Sequence, residues 1–182
     1  MNGHRNGDWV QTFSGQKFWP CDPLDSEIHI VDVAHHLSLL CRFTGATRAF
    51  YSVAQHSTLC SRIVPAADAK WGLLHDASEA YLADIARPVK PFLSNYRALE
   101  RALMVEVAVR FHLPWPMPPA IHHADDVLAL TERRDLLNPG PEWGDWTKGL
   151  WLLEEAIVPL APAAAEREFL ARYEELFAEE AV

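Results

Sequence analysis

An all-α helical bundle in a single domain, with an irregular N-terminal segment, is the fold class the sequence predicts, and three observations predict it. From Ile30 onward, apolar residues recur at three- and four-residue spacing through several separated stretches, as in helices that bury one face. Prolines punctuate these stretches, most heavily at Pro114-Trp115-Pro116-Met117-Pro118-Pro119, where a helix is forbidden. A length of 182 residues fits one domain with a sizeable core better than two. The expected divisions are an irregular segment over 1–29, a helical core over 30–137, and a loop with C-terminal helices over 138–182.

The first 29 residues are rich in Gly, Pro, Asp and aromatics. Thr12-Phe13-Ser14-Gly15 and Phe18-Trp19-Pro20-Cys21-Asp22-Pro23 offer at most a short strand or hairpin between turns, laid over the helical body. A first helix is expected from Ile30 to about Cys41, with Val31, Ala34, Leu37 and Ser38 on one face, Asp32 as N-cap or first-turn acid, and Gly45 as the stop. A second runs from Ser52, a plausible cap, to Ile63; Val53, His56, Leu59, Cys60 and Ile63 share its spacing, so His56 faces inward. The third opens near Pro65 and continues to about Leu82.

Within that third helix, Leu73, Leu74, Ala77 and Ala80 form an apolar stripe, and His75, Asp76 and Glu79 share the adjoining side. Two carboxylates three residues apart repel unless a cation, a proton or a shared water lies between them. The connector Ala83-Asp84-Ile85-Ala86-Arg87-Pro88-Val89-Lys90-Pro91 follows, placed where loops often contact substrate. Helices are then expected over Leu93–Leu113, Ala120–Leu137, Leu150–Ile157 and Pro162–Glu179, with Asn138 to Trp146 as a loop.

Sixteen basic against 25 acidic residues give a net charge of −9, which excludes broad binding to a nucleic-acid polymer, because counterion release needs clustered Lys and Arg. Met1 to Asp8 does not read as a signal peptide, and no apolar run approaches about 18 residues, so no membrane partner and a cytoplasmic location are expected. Cys21, Cys41 and Cys60 lack C-x-x-C spacing, so neither a disulfide framework nor a zinc knuckle is expected, and they read as buried thiols without a chemical role.

Three helices thus each bring metal-compatible residues to the interior: His56 from one, His75 with Asp76 from the next, and Asp125 or Asp126 from a third. Two imidazoles and two carboxylates suit a divalent Mn, Fe, Co, Ni or Zn ion, with open positions for water and substrate. Such an ion acidifies water and neutralises a phosphoryl oxygen. Glu79, one turn on, is placed to orient that water or take its proton. The remaining polar groups have plainer readings. His122-His123 and Asp126 fit a helix surface, His35-His36 straddle core and surface, and Glu132-Arg133-Arg134-Asp135 fit an intrahelical ion network. Trp71 fits the core, while Trp19, Trp143 and Trp146 fall in loops.

The order His56, His75-Asp76, Asp125 resembles the H…HD…D pattern of the HD-domain metal-dependent phosphohydrolases, with Asp125 favoured over Asp126 by the register of Leu128 and Thr131-Glu132-Arg133-Arg134-Asp135-Leu136. The likeness is greatest to the small 5′-deoxynucleotidase branch and its phage dATP-triphosphohydrolase relatives. It extends over Thr12-Phe13-Ser14-Gly15, Cys41-Arg42-Phe43, Tyr51-Ser52-Val53-Ala54-Gln55-His56-Ser57 and Glu168-Phe169-Leu170-Ala171-Arg172-Tyr173. The resemblance implies a divalent metal held by His56, His75, Asp76 and Asp125, with Mg added to the candidate ions. It implies a catalytic role for Glu79 on the attacking water and phosphate contact by Arg42. It further implies Phe43 near the nucleoside, Asp84 on sugar or water, and Lys90 as a further phosphate contact. The implied activity is hydrolysis of a nucleotide substrate, foremost a deoxyribonucleoside 5′-monophosphate, with a deoxynucleoside triphosphate or non-catalytic nucleotide binding as alternatives. Relatives form homo-oligomers, for which the helix from Leu93 offers an interface. One departure stands out: many relatives carry histidine where this chain has Ala46.

Overall fold

A computed structural model describes residues 5–178; the expected polar opening before Arg5 and the helix end at Glu179 lie outside them. The described chain is all-α apart from one small hairpin. Its elements are β1 (Val10–Gln11), β2 (Lys17–Phe18), α1 (Ile30–Leu39), α2 (Val53–Ile63), α3 (Ala69–Leu74), α4 (Glu79–Leu82), α5 (Ser94–Arg110), α6 (Pro119–Leu136) and α7 (Pro162–Phe177). No helix among the described residues is long and apolar enough to cross a membrane.

Helix α2 is the hub, packing on α1, α3, α6 and α7. Ser52 starts it by accepting from the Gln55 amide, a cap contributing about 1 kcal/mol. Its interior is strongly polar for a buried helix, and local bonding makes that tolerable: Thr58 donates to the Ala54 carbonyl and Ser61 to the Thr58 carbonyl. Around it Phe18, Leu37, Tyr51, Trp71, Leu73, Leu74, Leu103, Ile121, Leu128 and Phe169 are buried, each contributing about 1.5–3 kcal/mol by leaving water. Helix α3 comes unusually close to α2 at Gly72, where a Cβ would lie 2.7 Å from the Ser61 Cα.

The N-terminal segment covers the bundle as a hairpin with Val10 opposite Phe18. Thr12–Gly15, expected to offer at most a short strand or hairpin, is the turn of that hairpin, closed by Gly15 at φ +81°. Phe18 stacks on Tyr81, and the Ser14 amide and hydroxyl both donate to the buried Asp32. Asp32 therefore sits in the first turn of α1 and anchors the hairpin, while His29 occupies the cap position.

Several boundaries differ from expectation for physical reasons. The long helix expected over 65–82 is broken into α3 and α4, because the amides of Ala77 and Glu79 bond three residues back, to Leu74 and Asp76, tightening the chain at the His75–Ser78 turn. Helix α1 ends at Leu39, well before Gly45, which closes a short 3-10 turn over Arg42–Gly45. Helix α5 stops at Arg110, since His112 has φ +52°. The helix expected over Leu150–Ile157 is absent. Side chains of neighbouring helices take up its backbone: Thr131 and Asp135 accept from the Leu153 and Ile157 amides, and Arg134 donates to the Leu153 carbonyl. Gln55 brackets the segment that follows, donating to the Val158 carbonyl and accepting from the Leu160 amide.

Candidate metal centre

Helix α2 carries His56, fully buried, into the middle of the bundle. The tightened turn after α3 brings His75 opposite, with the two Nε2 atoms 3.3 Å apart. Helix α6 supplies Asp125, whose Oδ1 lies 3.1 Å from His56 Nε2. One ligand atom from each of these three residues falls within 4.8 Å of the others, so the cluster can hold a metal ion. The Asp76 Oδ2 adjoins it, 3.3 Å from His75 Nε2 and 3.8 Å from His56 Nε2. Asp126 turns away to Arg87 at 2.7 Å and stands outside the cluster.

The hydrogen bonds behind the two rings decide their tautomers. His75 Nδ1 lies 2.9 Å from the Gly72 carbonyl, which only accepts, so Nδ1 carries the proton. His56 Nδ1 lies 2.6 Å from Glu132 Oε1; burial opposes ionisation of Glu132, but Arg42 and His56 outweigh it and hold its carboxyl down at about 2, so it too only accepts. In the neutral rings both Nε2 atoms are consequently bare. Two lone pairs and two carboxylate oxygens then face one another.

Protons or a divalent cation can balance this set. Burial and Arg42 oppose protonation of His56, yet Glu132 and Asp125 raise it to about 9; burial likewise opposes protonation of His75, and Asp76 raises it well above the ordinary range. Two such protons would set facing imidazolium nitrogens 3.3 Å apart. One ion would satisfy both nitrogens and both carboxylates without that repulsion. Among the described residues Asp76 Oδ2 is buried without a hydrogen-bond partner, which also fits a ligand role.

Glu132 is the functional residue that sequence reasoning missed. It is fully buried and receives Tyr51 Oη at 2.9 Å and Arg42 Nη2 at 3.2 Å besides His56. An intrahelical ion network is thus incorrect for Glu132. Its place one helical period beyond Leu128 and Ala129, both buried, was the available signal.

Arg42 lies across the centre, with Nη1 3.6 Å from Asp76 Oδ2 and Nη2 3.4 Å from Asp125 Oδ1. Facing these carboxylates, it stays charged despite burial. The bridge between Cys41 and Ser52 holds its backbone, and Phe43 and Thr44 follow at φ +53° and +50°, a left-handed pair that costs about 1–2 kcal/mol per residue. Such strain is found where a loop must aim a side chain. The Phe43 ring lies beside Arg42, 6.0 Å from Trp143, which stacks on Trp146 at 5.8 Å. Arg87 lies over Trp146 and reaches Asp125 Oδ2 at 3.0 Å.

Glu79 is buried, and burial, then Asp76 and Asp84, push its carboxyl well above the ordinary range. Its Oε2 has no hydrogen-bond partner, and Lys90 stands 3.4 Å from Oε1. Lys90 also bonds Glu100 at 2.8 Å, so its donors are partly committed. Asp84 is half-buried and raised, chiefly by burial, with Arg42 pulling it down and Asp76 pushing it up. His122 and His123 are exposed, and His35 stacks on Phe13 and faces Glu166 rather than the cluster. Trp19 lies against Arg5. Of the cysteines only Cys60 is buried; Cys21 is exposed, contrary to expectation.

No protein-family model matches the chain. It is 39% identical over 170 residues to the uncharacterized protein YfdR of Escherichia coli, covering 92% of this chain and 95% of that protein. It is also 36% identical over 142 residues to the uncharacterized protein RCAP_rcc00048 of Rhodobacter capsulatus, covering 70% and 72% respectively. By identity and coverage together, the chain belongs to the family of Escherichia coli YfdR.

Proposed function

We propose that this protein is an HD-domain-type metal-dependent phosphohydrolase acting on nucleotides, foremost on deoxyribonucleoside 5′-monophosphates. The observation that carries the reading is the pair of facing Nε2 atoms, 3.3 Å apart and flanked by Asp76 and Asp125, beside a charged Arg42 and a carboxyl, Glu79, tuned upward. His56, His75, Asp76 and Asp125 would hold a divalent ion, which would supply charge to acidify water and neutralise a phosphoryl oxygen. Arg42 binds and orients the phosphate, its position over Asp76 and Asp125 placing positive charge where negative charge grows in the transition state. Glu79 takes a proton from water at its unpartnered Oε2, and its raised affinity brings it towards the range useful to a general base. Lys90, beside Oε1, moderates that affinity. Phe43, Trp143 and Trp146 offer aromatic faces for a base at the rim.

Arg87, at the rim on Asp125 Oδ2, favours a second reading, release of triphosphate from a deoxynucleoside triphosphate, because it adds a cation to Arg42 and Lys90. A screen of deoxy- and ribonucleoside mono- and triphosphates with Mn, Co and Mg separates the two by product. Asp76→Ala is expected to lose metal and activity together, whereas Glu79→Ala keeps metal and loses about 10²–10⁴-fold in rate. Full activity in either variant overturns the reading.

A further inference from the structure

At the C-terminal end of α6 a cavity of about 310 Å³ is lined by Arg48, Arg133, Arg134, Leu137, Asn138, Pro139 and Gly140, none of them a residue of the metal centre. No lining residue is acidic. Arg134 is neutralised by Asp135 at 2.6 Å. Arg133 hydrogen-bonds the Gly140 and Pro141 carbonyls and lies over the Trp143 ring, and Arg48 donates to the Asp135 carbonyl. Three guanidinium groups against one carboxylate leave two uncompensated positive charges, in a chain whose net charge is −9. Those backbone bonds engage Nη2 of each guanidinium group, leaving Nε and Nη1 to meet a ligand. Planar guanidinium groups lining one cavity without a lining carboxylate suit a phosphate, whose oxygens accept their paired N–H donors.

We propose that this cavity is a second binding site, for the phosphate of a phosphorylated small molecule, separate from the metal centre. The cavity volume exceeds what inorganic phosphate needs and admits a pyrophosphate or a nucleotide's phosphate end. A side-chain path joins it to the metal centre. Arg133 lies over Trp143, Trp143 faces Phe43, Phe43 lies beside Arg42, and Arg42 bonds Glu132. The site does not depend on the hydrolytic reading, since its readout is affinity rather than turnover.

Calorimetric titration of the full chain with inorganic pyrophosphate, and separately with deoxyadenosine monophosphate, tests this. Arg48→Gln and Arg133→Gln are each expected to weaken one class of sites about tenfold or more, the worth of one charge-assisted bond. Asn138→Asp, which adds negative charge without touching any arginine contact, is expected to do the same. Asp76→Ala is expected to leave that class within about twofold, as the metal centre lies elsewhere. Binding by pyrophosphate alone identifies a free anion as the ligand, and tighter binding by the nucleotide identifies a nucleotide. An absence of saturable binding in the unaltered protein, or affinities unchanged by all three cavity substitutions, overturns the proposal.

Discussion

Replacing Glu132 with glutamine isolates the support behind the metal centre. The substitution keeps volume but removes a charge that serves three partners: His56 Nδ1 at 2.6 Å, Tyr51 Oη at 2.9 Å and Arg42 Nη2 at 3.2 Å. Because Oε1 accepts from both His56 and Tyr51, the amide oxygen of glutamine must stay there, which turns its NH₂ against the Arg42 guanidinium. Two charge-assisted bonds become neutral, at about 1 kcal/mol each, and the third is lost. Arg42 keeps Asp76 and Asp125, so the stability loss stays near the lower end of that for a broken buried pair, about 3 kcal/mol. For metal, losing the carboxylate behind a ligating histidine typically costs about 10–100-fold in affinity. Competition against a chromogenic chelator measures that loss, and urea unfolding measures stability. Tyr51→Phe is the control, since it removes one bond to Glu132 and leaves His56 paired; its metal affinity is expected to stay within about threefold. Metal affinity of Glu132→Gln within twofold of the unaltered protein refutes the claim that the negative charge of Glu132 behind His56 supports the metal centre.

Three further outcomes are expected. Metal binding must displace protons from His56 and His75, both raised, so affinity is expected to climb as pH rises and to level off above about 9 for the His56 contribution; chelator competition across pH 6–9.5 measures it. In the metal-free protein the sign for stability is opposite: a histidine raised from 6.5 to about 9 stabilises fully below 6.5 and ceases to do so as pH passes 9, which urea melts in excess chelator should reveal. Gly72→Ala drives a Cβ to within 2.7 Å of the Ser61 Cα, backbone that cannot swing away, and is expected to cost about 1–3 kcal/mol. Because the Gly72 carbonyl holds His75 Nδ1, the same change should weaken metal binding, and an intact affinity would show that the α2–α3 approach does not position His75.

Much of the bundle was legible from spacing alone. Ser52 as a cap, His56 facing inward, and the punctuation by Pro114 to Pro119 are local properties, written in side-chain chemistry within a turn or two of where they act. Leu150–Ile157 failed because its backbone is satisfied by Thr131, Arg134 and Asp135 from another element, which no local pattern records. The break at His75–Ser78 failed for a related reason: its backbone angles stay helical, and only the bonding shifts from four residues to three.

The sequence by itself determined an all-α chain with imidazoles and carboxylates on inward helical faces, since periodicity reports which side of a helix is buried. Only the tertiary structure decided how they meet. It placed Asp125 in the cluster and gave Asp126 to Arg87, a choice between adjacent residues about 100° apart on one helix that depends on the rotation of α6 against α2. It also drew Glu132 out of an apparent surface ion network to stand behind His56, 76 residues away in the chain. Spacing along one helix specifies a face; the partner across that face comes from packing.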